Sequence, residues 1–299
     1  MKIFLVPQAS MNPSLPDSMI KDIDKMKGDA IGDTLYSERW VLKTLMKLSK
    51  EYSNYCNPDD YHLETSLEED LSVLWDMTIE PAVAEFLMEN NVVELITDVI
   101  TVSCSPRMNE IMVGILGNLA CQEQVRQKIG ENEDLIKIII NQLTSSDSPT
   151  LIQVMRLINT CIWNLSDKNS KQSNSSDPDK EENESCWIST LKTEKELLQQ
   201  ITCFILASSR NEELLKSTLS LIDSLFNVTD SKDDFFCKTF STETFVQALV
   251  EAVKEMTKGA EDGNKSMYNK EMLKHGLAHW ISLLHRLTSH NIGVCALGM

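Results

Sequence analysis

A short pattern that recurs four times constrains this chain more than any other feature. It consists of an apolar residue, a bulky residue or glycine, Asn or Asp, a second apolar residue and a small residue. Its polar positions, Asp76, Asn118, Asn164 and Asn227, are 42, 46 and 63 residues apart. The last interval contains the polar stretch 168–185, and removing those 18 residues leaves 45. Units of about 40–47 residues are typical of helical repeat proteins.

The stretch Ser105–Cys121 indicates what each unit is made of. Ser105 can cap a helix, and Pro106 suits the first helical position, where no N–H is needed. Apolar residues then follow at intervals of three or four, as on one face of a helix: Met108, Ile111, Met112, Ile115, Leu116 and Leu119. Gly114 and Gly117 each cost about 1 kcal/mol inside a helix, so we expect a neighbouring helix to approach closely there.

Three helices per unit, joined by short loops, account for most of the remaining sequence. The chain is therefore predicted to be all-α, with an armadillo/HEAT-like right-handed helical solenoid over residues 29–290. Residues 1–28 are expected to form a mobile leader and residues 291–299 a C-terminal tail. The insert 168–185 lacks apolar side chains to bury and is predicted to be a disordered loop.

Capping patterns and apolar stripes place further helix starts. A helix is predicted over Asp33–Tyr52 from its apolar spacing. Ser66, with Glu69 three residues later, forms a predicted capping box that would open the next helix. Ser241 is predicted to cap a helix close to the C-terminal end of the repeats.

The charge of the chain restricts the kind of partner it can bind. With 28 basic and 45 acidic residues, the net charge is −17. Binding to a nucleic-acid backbone needs clustered Lys and Arg, so no nucleic-acid partner is expected. A basic protein partner is compatible with this charge, although an acidic surface also serves solubility alone. No apolar run approaches the length of a membrane span, and no membrane partner is expected.

The eight cysteines are predicted to be reduced thiols. Their closest spacing is 17 residues, so there is no Cys-x-x-Cys pair, and several lie within apolar helical runs. Such usage is typical of a protein of the nucleus or cytoplasm, which is the predicted location.

Glycosylation sequons at Asn164 and Asn227 fall on the repeated pattern, where a glycan would disrupt packing, and this argues against secretion.

The same segments carry a family resemblance. The ending GILGNLA, followed by Cys121–Ile129 and the apolar run Leu135–Leu143, resembles an armadillo repeat. Ile31–Ser37 (IGDTLYS), Val73–Met77 (VLWDM) and Ser105–Cys121 resemble the serum-amyloid-A-like Saal family, which is also called synoviocyte proliferation-associated. The resemblance implies an armadillo-type fold, no known catalytic activity, and a nuclear or cytoplasmic role in promoting cell proliferation.

The four polar residues of the pattern are the first candidate binding site. In armadillo proteins such as importin-alpha, the Asn at this position lines a groove and binds the backbone of an extended peptide. A carboxamide can pair with one peptide unit. We therefore predict that Asp76, Asn118, Asn164 and Asn227 bind a protein partner, and we expect Asn118 and Asn164 to face an open groove. The alternative is an Asn whose hydrogen bonds are satisfied inside the repeat.

The aromatic residues of the chain depart from the importin pattern. That pattern places Trp four residues before the Asn, where this chain has Ser72, Gly114, Thr160 and Asp223. A transport or cargo adaptor of the karyopherin type is therefore the alternative function and not the first one.

Bulky side chains instead lie one residue before the polar position. Trp75, Trp163 and Phe226 could form a shelf for apolar or basic side chains of a partner. Core packing between repeats is the alternative explanation for these three residues.

Catalytic and metal-binding patterns are missing from the sequence. His275 and His279 share a helical face, but further zinc ligands are not placed beside them, and no metal site is predicted. The sequence has no Gly-rich phosphate loop, GxSxG or HExxH motif. We predict no cofactor and no enzymatic activity. The expected function is that of a non-catalytic armadillo-type scaffold whose groove binds a basic or extended protein segment.

Overall fold

The computed structural model describes residues 27–57, 62–163, 165, 185–228, 234–258 and 267–289. Within these ranges the only β-structure is an isolated bridge between Ala30 and Ser37. The α-helices are α1 (Glu38–Glu51), α2 (Thr65–Met77), α3 (Pro81–Glu89), α4 (Val92–Val102), α5 (Pro106–Leu119), α6 (Glu123–Gly130), α7 (Glu133–Asn141), α8 (Ser148–Ile162), α9 (Cys186–Thr193), α10 (Lys195–Ser208), α11 (Glu212–Val228), α12 (Phe235–Phe240), α13 (Glu243–Thr257) and α14 (Met267–Thr288).

The helices stack in repeated units. Each unit begins with a long helix, and these long helices, α2, α5, α8, α11 and α14, pack one against the next; we call them the ladder helices. A short helix and a third helix follow each of the first four ladder helices, and the third helices form a second row in which α4 packs on α7 and α10 on α13. The predicted all-α helical solenoid is confirmed. The predicted leader up to residue 26, residues 168–184 of the predicted insert and the tail lie outside the described residues.

Local hydrogen bonds set where the ladder helices begin. The Ser105 hydroxyl accepts from the backbone N–H of Met108 at 3.4 Å, as predicted for the start of α5. At α8 the cap is Asp147, whose carboxylate accepts from the N–H of Thr150 at 2.9 Å. Both caps satisfy an N–H group that the first turn of a helix cannot pair internally.

Two predicted caps are wrong. At α2 the cap is Glu64, whose carboxylate accepts from the N–H of Leu67 at 3.2 Å, while the Ser66 hydroxyl donates to that carboxylate at 2.7 Å. At α13 the cap is Thr242, and the Ser241 hydroxyl instead donates to the carbonyl of Cys237 at 2.7 Å. In each case a neighbouring side chain reaches the N–H group of the first turn, and the predicted serine is bonded elsewhere.

The first helix starts later than predicted, at Glu38 and not Asp33. Residues 31–36 form a turn in which the N–H of Ile31 donates to the carbonyl of Tyr36 at 2.9 Å. Gly32 has φ +54°, a value that L side chains rarely adopt, so this segment cannot continue as helix. Ser37 then caps α1 through the N–H of Trp40 at 3.1 Å.

The centre of the core is α5, which is buried without interruption from Ile111 to Ala120. A Cβ atom added at Gly114 would lie 2.2 Å from Cζ2 of Trp75 on α2, so the indole occupies the space that glycine leaves open. Gly117 lies on the side of α8, with the guanidinium carbon of Arg156 3.9 Å from its hypothetical Cβ. The close approach predicted for this helix is confirmed at Gly114.

We expect Gly114→Ala to destabilise the fold. Overpacking of a core costs about 1–3 kcal/mol, which exceeds the gain of about 1 kcal/mol in helix propensity. Gly117→Ala is the matched control: its Cβ has room, so the propensity gain should leave stability unchanged or raised. Urea unfolding followed by circular dichroism measures both variants. Trp75→Leu should relieve the Gly114→Ala defect, and equal stability of the two alanine variants would contradict the packing argument.

Candidate functional site at the ends of the ladder helices

The predicted polar residues lie at the C-terminal ends of the ladder helices, which we call the ladder ends. The apolar residue that follows each of them turns toward the core, as predicted: Leu119 is fully buried, and Leu165 packs partly buried against the core. Each polar residue comes one position before this apolar residue, so its side chain points about 100° away from it around the helix axis. Their surroundings differ from one ladder end to the next.

Asn118 joins three helices. Its Nδ2 donates to the carbonyl of Trp75 at 3.2 Å and to the Thr78 hydroxyl at 2.9 Å, both at the end of α2. Its Oδ1 accepts from the guanidinium of Arg156 on α8. The residue is only 8 % exposed. The expectation that Asn118 faces an open groove is wrong, because the neighbouring repeats satisfy both ends of its carboxamide.

Asn227 repeats half of this arrangement at the end of α11. Its Oδ1 accepts from the guanidinium of Arg286 on α14, and Arg286 also donates to the carbonyl of Phe226 at 2.8 Å. Its Nδ2 donates to the carbonyl of Asp223 at 2.8 Å, within its own helix. The side chain remains exposed.

Asp76 and Asn164 are the other two polar residues of the pattern. Asp76 is exposed at the end of α2. Asn164 lies outside the described residues, so its predicted orientation stays a prediction.

The three aromatic residues do not form one shelf. Trp75 is half-buried above Gly114. Phe226 is 2 % exposed and packs against Phe240, with ring centroids 5.9 Å apart, so the core-packing alternative is correct for it. Trp163, at the end of α8, is 61 % exposed. Only Trp163 among the three therefore offers a large apolar surface to a partner.

A half-buried polar group joins the last two ladder helices. The Asp223 carboxylate lies 2.9 Å from Nδ1 of His279 and accepts from the Ser282 hydroxyl at 2.7 Å, both on α14. Burial disfavours the charged carboxylate, but the hydrogen bonds from His279 and Ser282 and the charges of His279 and Arg286 outweigh it. The pKa of Asp223 is consequently below its ordinary value.

The arginines Arg156 and Arg286 are functional neighbours that the sequence analysis missed. Each lies on a ladder helix and reaches back to the Asn of the preceding ladder helix. Arg156 and Asn118 are 38 residues apart and Arg286 and Asn227 59 residues, so no common sequence interval marks them. A signal exists for Arg156, which is the sole charged residue of a largely apolar α8 and therefore calls for an acceptor. Arg286 has no such signal, because α14 carries other charged residues.

The described residues offer little reactive chemistry. Burial raises the pKa of the Cys161 thiol to about 12 and that of Cys203 to about 11, so both thiols stay protonated at neutral pH. In the same part of the chain, no group of three or more His, Cys, Asp or Glu is placed to hold a metal ion. His279 is bonded to Asp223, and His275 lies 3.8 Å from Glu271.

No helix among the described residues combines the length and apolar character needed to cross a membrane.

The fold and these contacts define the class of protein: an all-α helical solenoid whose ladder helices are joined by polar side chains. Residues 198–297 match the family model described as "SAAL1 C-terminal domain". The match includes α11 and α14 and therefore the Asp223–His279 and Asn227–Arg286 contacts.

Curated relatives extend the similarity to the rest of the chain. "Protein saal1" of Danio rerio is 31% identical over 262 residues, which are 84% of this chain and 52% of that protein. "Protein SAAL1" of Homo sapiens is 31% identical over 210 residues, 68% of this chain and 41% of the human protein. "Protein saal1" of Xenopus tropicalis is 28% identical over 297 residues, 96% of this chain and 60% of that protein. The chain spans about half the length of the curated relatives it matches. These matches support the SAAL1 family.

We expect Asn118→Ala to destabilise the protein by about 1–3 kcal/mol, because it removes three hydrogen bonds, one of them to a charged guanidinium, from a buried position between α2 and α8. Asn227→Ala is the matched control: its side chain is exposed, and the expected cost is below about 1 kcal/mol. Equilibrium urea unfolding of both variants measures the difference. A cost at Asn118 no larger than that at Asn227 would contradict the structural role argued for Asn118.

The lowered pKa of Asp223 predicts a pH dependence of stability. A group whose pKa is depressed on folding stabilises the native state above its unfolded pKa of about 4 and loses that contribution as the pH falls through the folded pKa. We expect the urea midpoint of the wild type to fall more steeply below about pH 4 than that of Asp223→Asn. Asp76→Asn, which removes the same charge at an exposed position, should follow the wild type. If the urea midpoints of Asp223→Asn and of the wild type changed in parallel with pH, Asp223 would not be the cause of the acid sensitivity.

Proposed function

We propose that this chain is a non-catalytic protein-interaction scaffold that binds an extended segment of a partner across the ladder ends. Exposed Trp163 is the observation that carries the proposal. A tryptophan with 61 % of its surface in water is unusual for so apolar a side chain. Exposed tryptophans are frequent anchors in protein interfaces, where a pocket or side chain of the partner covers them.

The polar surroundings of the ladder ends suggest the chemistry of the segment. Asp76 is exposed at the end of α2, where its carboxylate can pair with a cationic side chain of a partner. Asn227 is exposed at the end of α11, where its carboxamide can accept a hydrogen bond. The net charge of −17 favours a basic segment. The indole of Trp163 can also accept a cation above its ring. A basic, extended segment therefore fits this surface better than an acidic one.

The family similarity adds the biological setting of the proposal. The Saal resemblance points to an armadillo-type scaffold of the nucleus or cytoplasm that promotes cell proliferation. The contacts found at the ladder ends contribute no nucleophile, metal site or phosphate-binding loop to such a role. They supply instead a row of helix ends held in fixed relative positions, which is the property that a binding scaffold requires.

The proposal predicts that Trp163→Ala abolishes partner capture without unfolding the protein. Tagged wild type and variant are used to capture proteins from cell extract, and bound proteins are identified by mass spectrometry. The segment of the partner is then synthesised and titrated by fluorescence anisotropy. We expect binding to weaken by at least about tenfold, because truncation of an anchoring tryptophan typically costs 2 kcal/mol or more.

The matched control is Phe204→Ala, which removes an exposed aromatic side chain from α10, a unit's third helix, near the N-terminal starts of α8 and α11 and not at the ladder ends. It should bind the segment as the wild type does. Equal binding by wild type and Trp163→Ala would contradict the proposed site. Loss of binding on Phe204→Ala alone would place the interaction on another face of the solenoid.

A further inference from the structure

The first helix, α1, has two faces of different character. Val41, Thr44, Leu45 and Leu48 are buried, and α1 packs through this side against α2. The opposite side carries Arg39, Leu42, Lys43, Met46 and Lys50, all of them exposed. Their spacing of three or four residues places them on one side of the helix. We call this set the basic face of α1.

The cations of this face are not in close contact with any carboxylate that the structure describes. Among the described residues, Arg39, Lys43 and Lys50 form no ion pair. The Asp29 carboxylate accepts from the Ser37 hydroxyl and from the backbone N–H of Arg39 at 3.1 Å. These hydrogen bonds lower the pKa of Asp29, and the charges of Arg39 and Lys43 add to that effect to a smaller extent.

Several lysines elsewhere on the described surface lie beside carboxylates. Lys47, on the same helix but toward α2, lies 3.6 Å from Glu64 and 3.5 Å from Asp70. Lys128 lies 2.7 Å from Glu94 on a neighbouring helix. In a chain with a net charge of −17, three neighbouring cations without such partners form a local positive surface.

The basic face also exposes apolar side chains. Met46 is 57 % exposed and Leu42 37 % exposed, and they lie between the cations along the helix. Leu35, on the turn that leads into α1, is 89 % exposed. Leucine and methionine in water cost free energy roughly in proportion to their apolar area, and a partner that covered them would recover it.

We propose that the basic face of α1 binds an acidic amphipathic helix of a partner protein. Carboxylates of such a helix would pair with Arg39, Lys43 and Lys50, while its apolar side chains would cover Leu42 and Met46. The charge of this face is complementary to an acidic segment and opposite to that of the chain as a whole. The proposal concerns a different surface from the ladder ends, so the two stand or fall separately.

Other anionic partners fit the face less well. An anionic membrane would be repelled by the remaining surface, whose charge is strongly negative, and the face offers no exposed aromatic side chain for insertion. A nucleic acid requires more clustered cations than three for measurable affinity at physiological salt. An acidic protein helix needs only local charge complementarity together with a small apolar contact.

Synthetic peptides test the proposal on the full chain. The first peptide is an amphipathic helix with leucines at positions i, i+3, i+4 and i+7 and glutamates on the flanking positions, and the second replaces every glutamate with lysine. Fluorescence anisotropy measures binding to the wild type and to the triple variant Arg39→Gln, Lys43→Gln, Lys50→Gln. The control variant, Lys128→Gln, Lys137→Gln, Lys254→Gln, removes the same charge from other helices. Circular dichroism and thermal melting establish that both variants remain folded.

We expect the acidic peptide to bind the wild type and the control variant alike, and to bind the triple variant at least about tenfold more weakly, a loss equivalent to about 1.4 kcal/mol. Binding should also weaken with added salt, since the contacts are exposed. Leu42→Ser with Met46→Ser should weaken binding without changing its salt dependence.

Three outcomes would overturn the proposal. The first is equal binding of the acidic peptide by wild type and triple variant. The second is equal binding of the acidic and basic peptides by the wild type. The third is binding of phosphatidylserine vesicles, but not of the acidic peptide, that the triple substitution abolishes, because the face would then be a membrane surface.

Discussion

The close packing around α5 is the constraint on which the rest of the solenoid depends. The indole of Trp75 occupies the space above Gly114, and the guanidinium of Arg156 passes beside Gly117. A helix with two interior glycines is intrinsically weak, so its stability comes from the neighbours that these glycines admit. α5 therefore forms as part of a stack, and the units before and after it are held in position by the same contacts.

Polar side chains extend this arrangement along the ladder. Asn118 bonds the last turn of α2 and receives Arg156 from α8, and Arg286 reaches the end of α11 in the same way. The final carbonyl groups of a helix lack internal partners, and cations near them are favoured by the helix dipole. The arginines thus satisfy helix ends and join consecutive units at once. This use of Asn differs from that expected by analogy with importin-alpha, because the ligand of the carboxamide is the protein's own next repeat.

Some side chains are left exposed by the contacts between units. Trp163 and Asp76 remain exposed at the ladder ends, Asn227 is exposed there but bonded to Arg286, and the basic face of α1 is exposed on the side away from α2. We propose opposite charge preferences for the two surfaces, which would allow one chain to hold two chemically different segments. A rigid row of helices suits that purpose, since the distance between the surfaces is fixed by packing.

The sequence by itself determined the architecture of this protein. The recurring pattern at Asp76, Asn118 and Asn227, the cap at Ser105 and the glycines of α5 were sufficient because helical period, capping and close approach depend on residues near one another in the chain. It could not decide which polar side chains face water. Asn118 and Asn227 occupy the same position in the pattern, yet one is buried by Arg156 and the other stays exposed beside Arg286. The buried Phe226 and the exposed Trp163 differ in the same way. Only the tertiary structure settled these cases, because exposure depends on what the next unit, tens of residues away, places against each side chain.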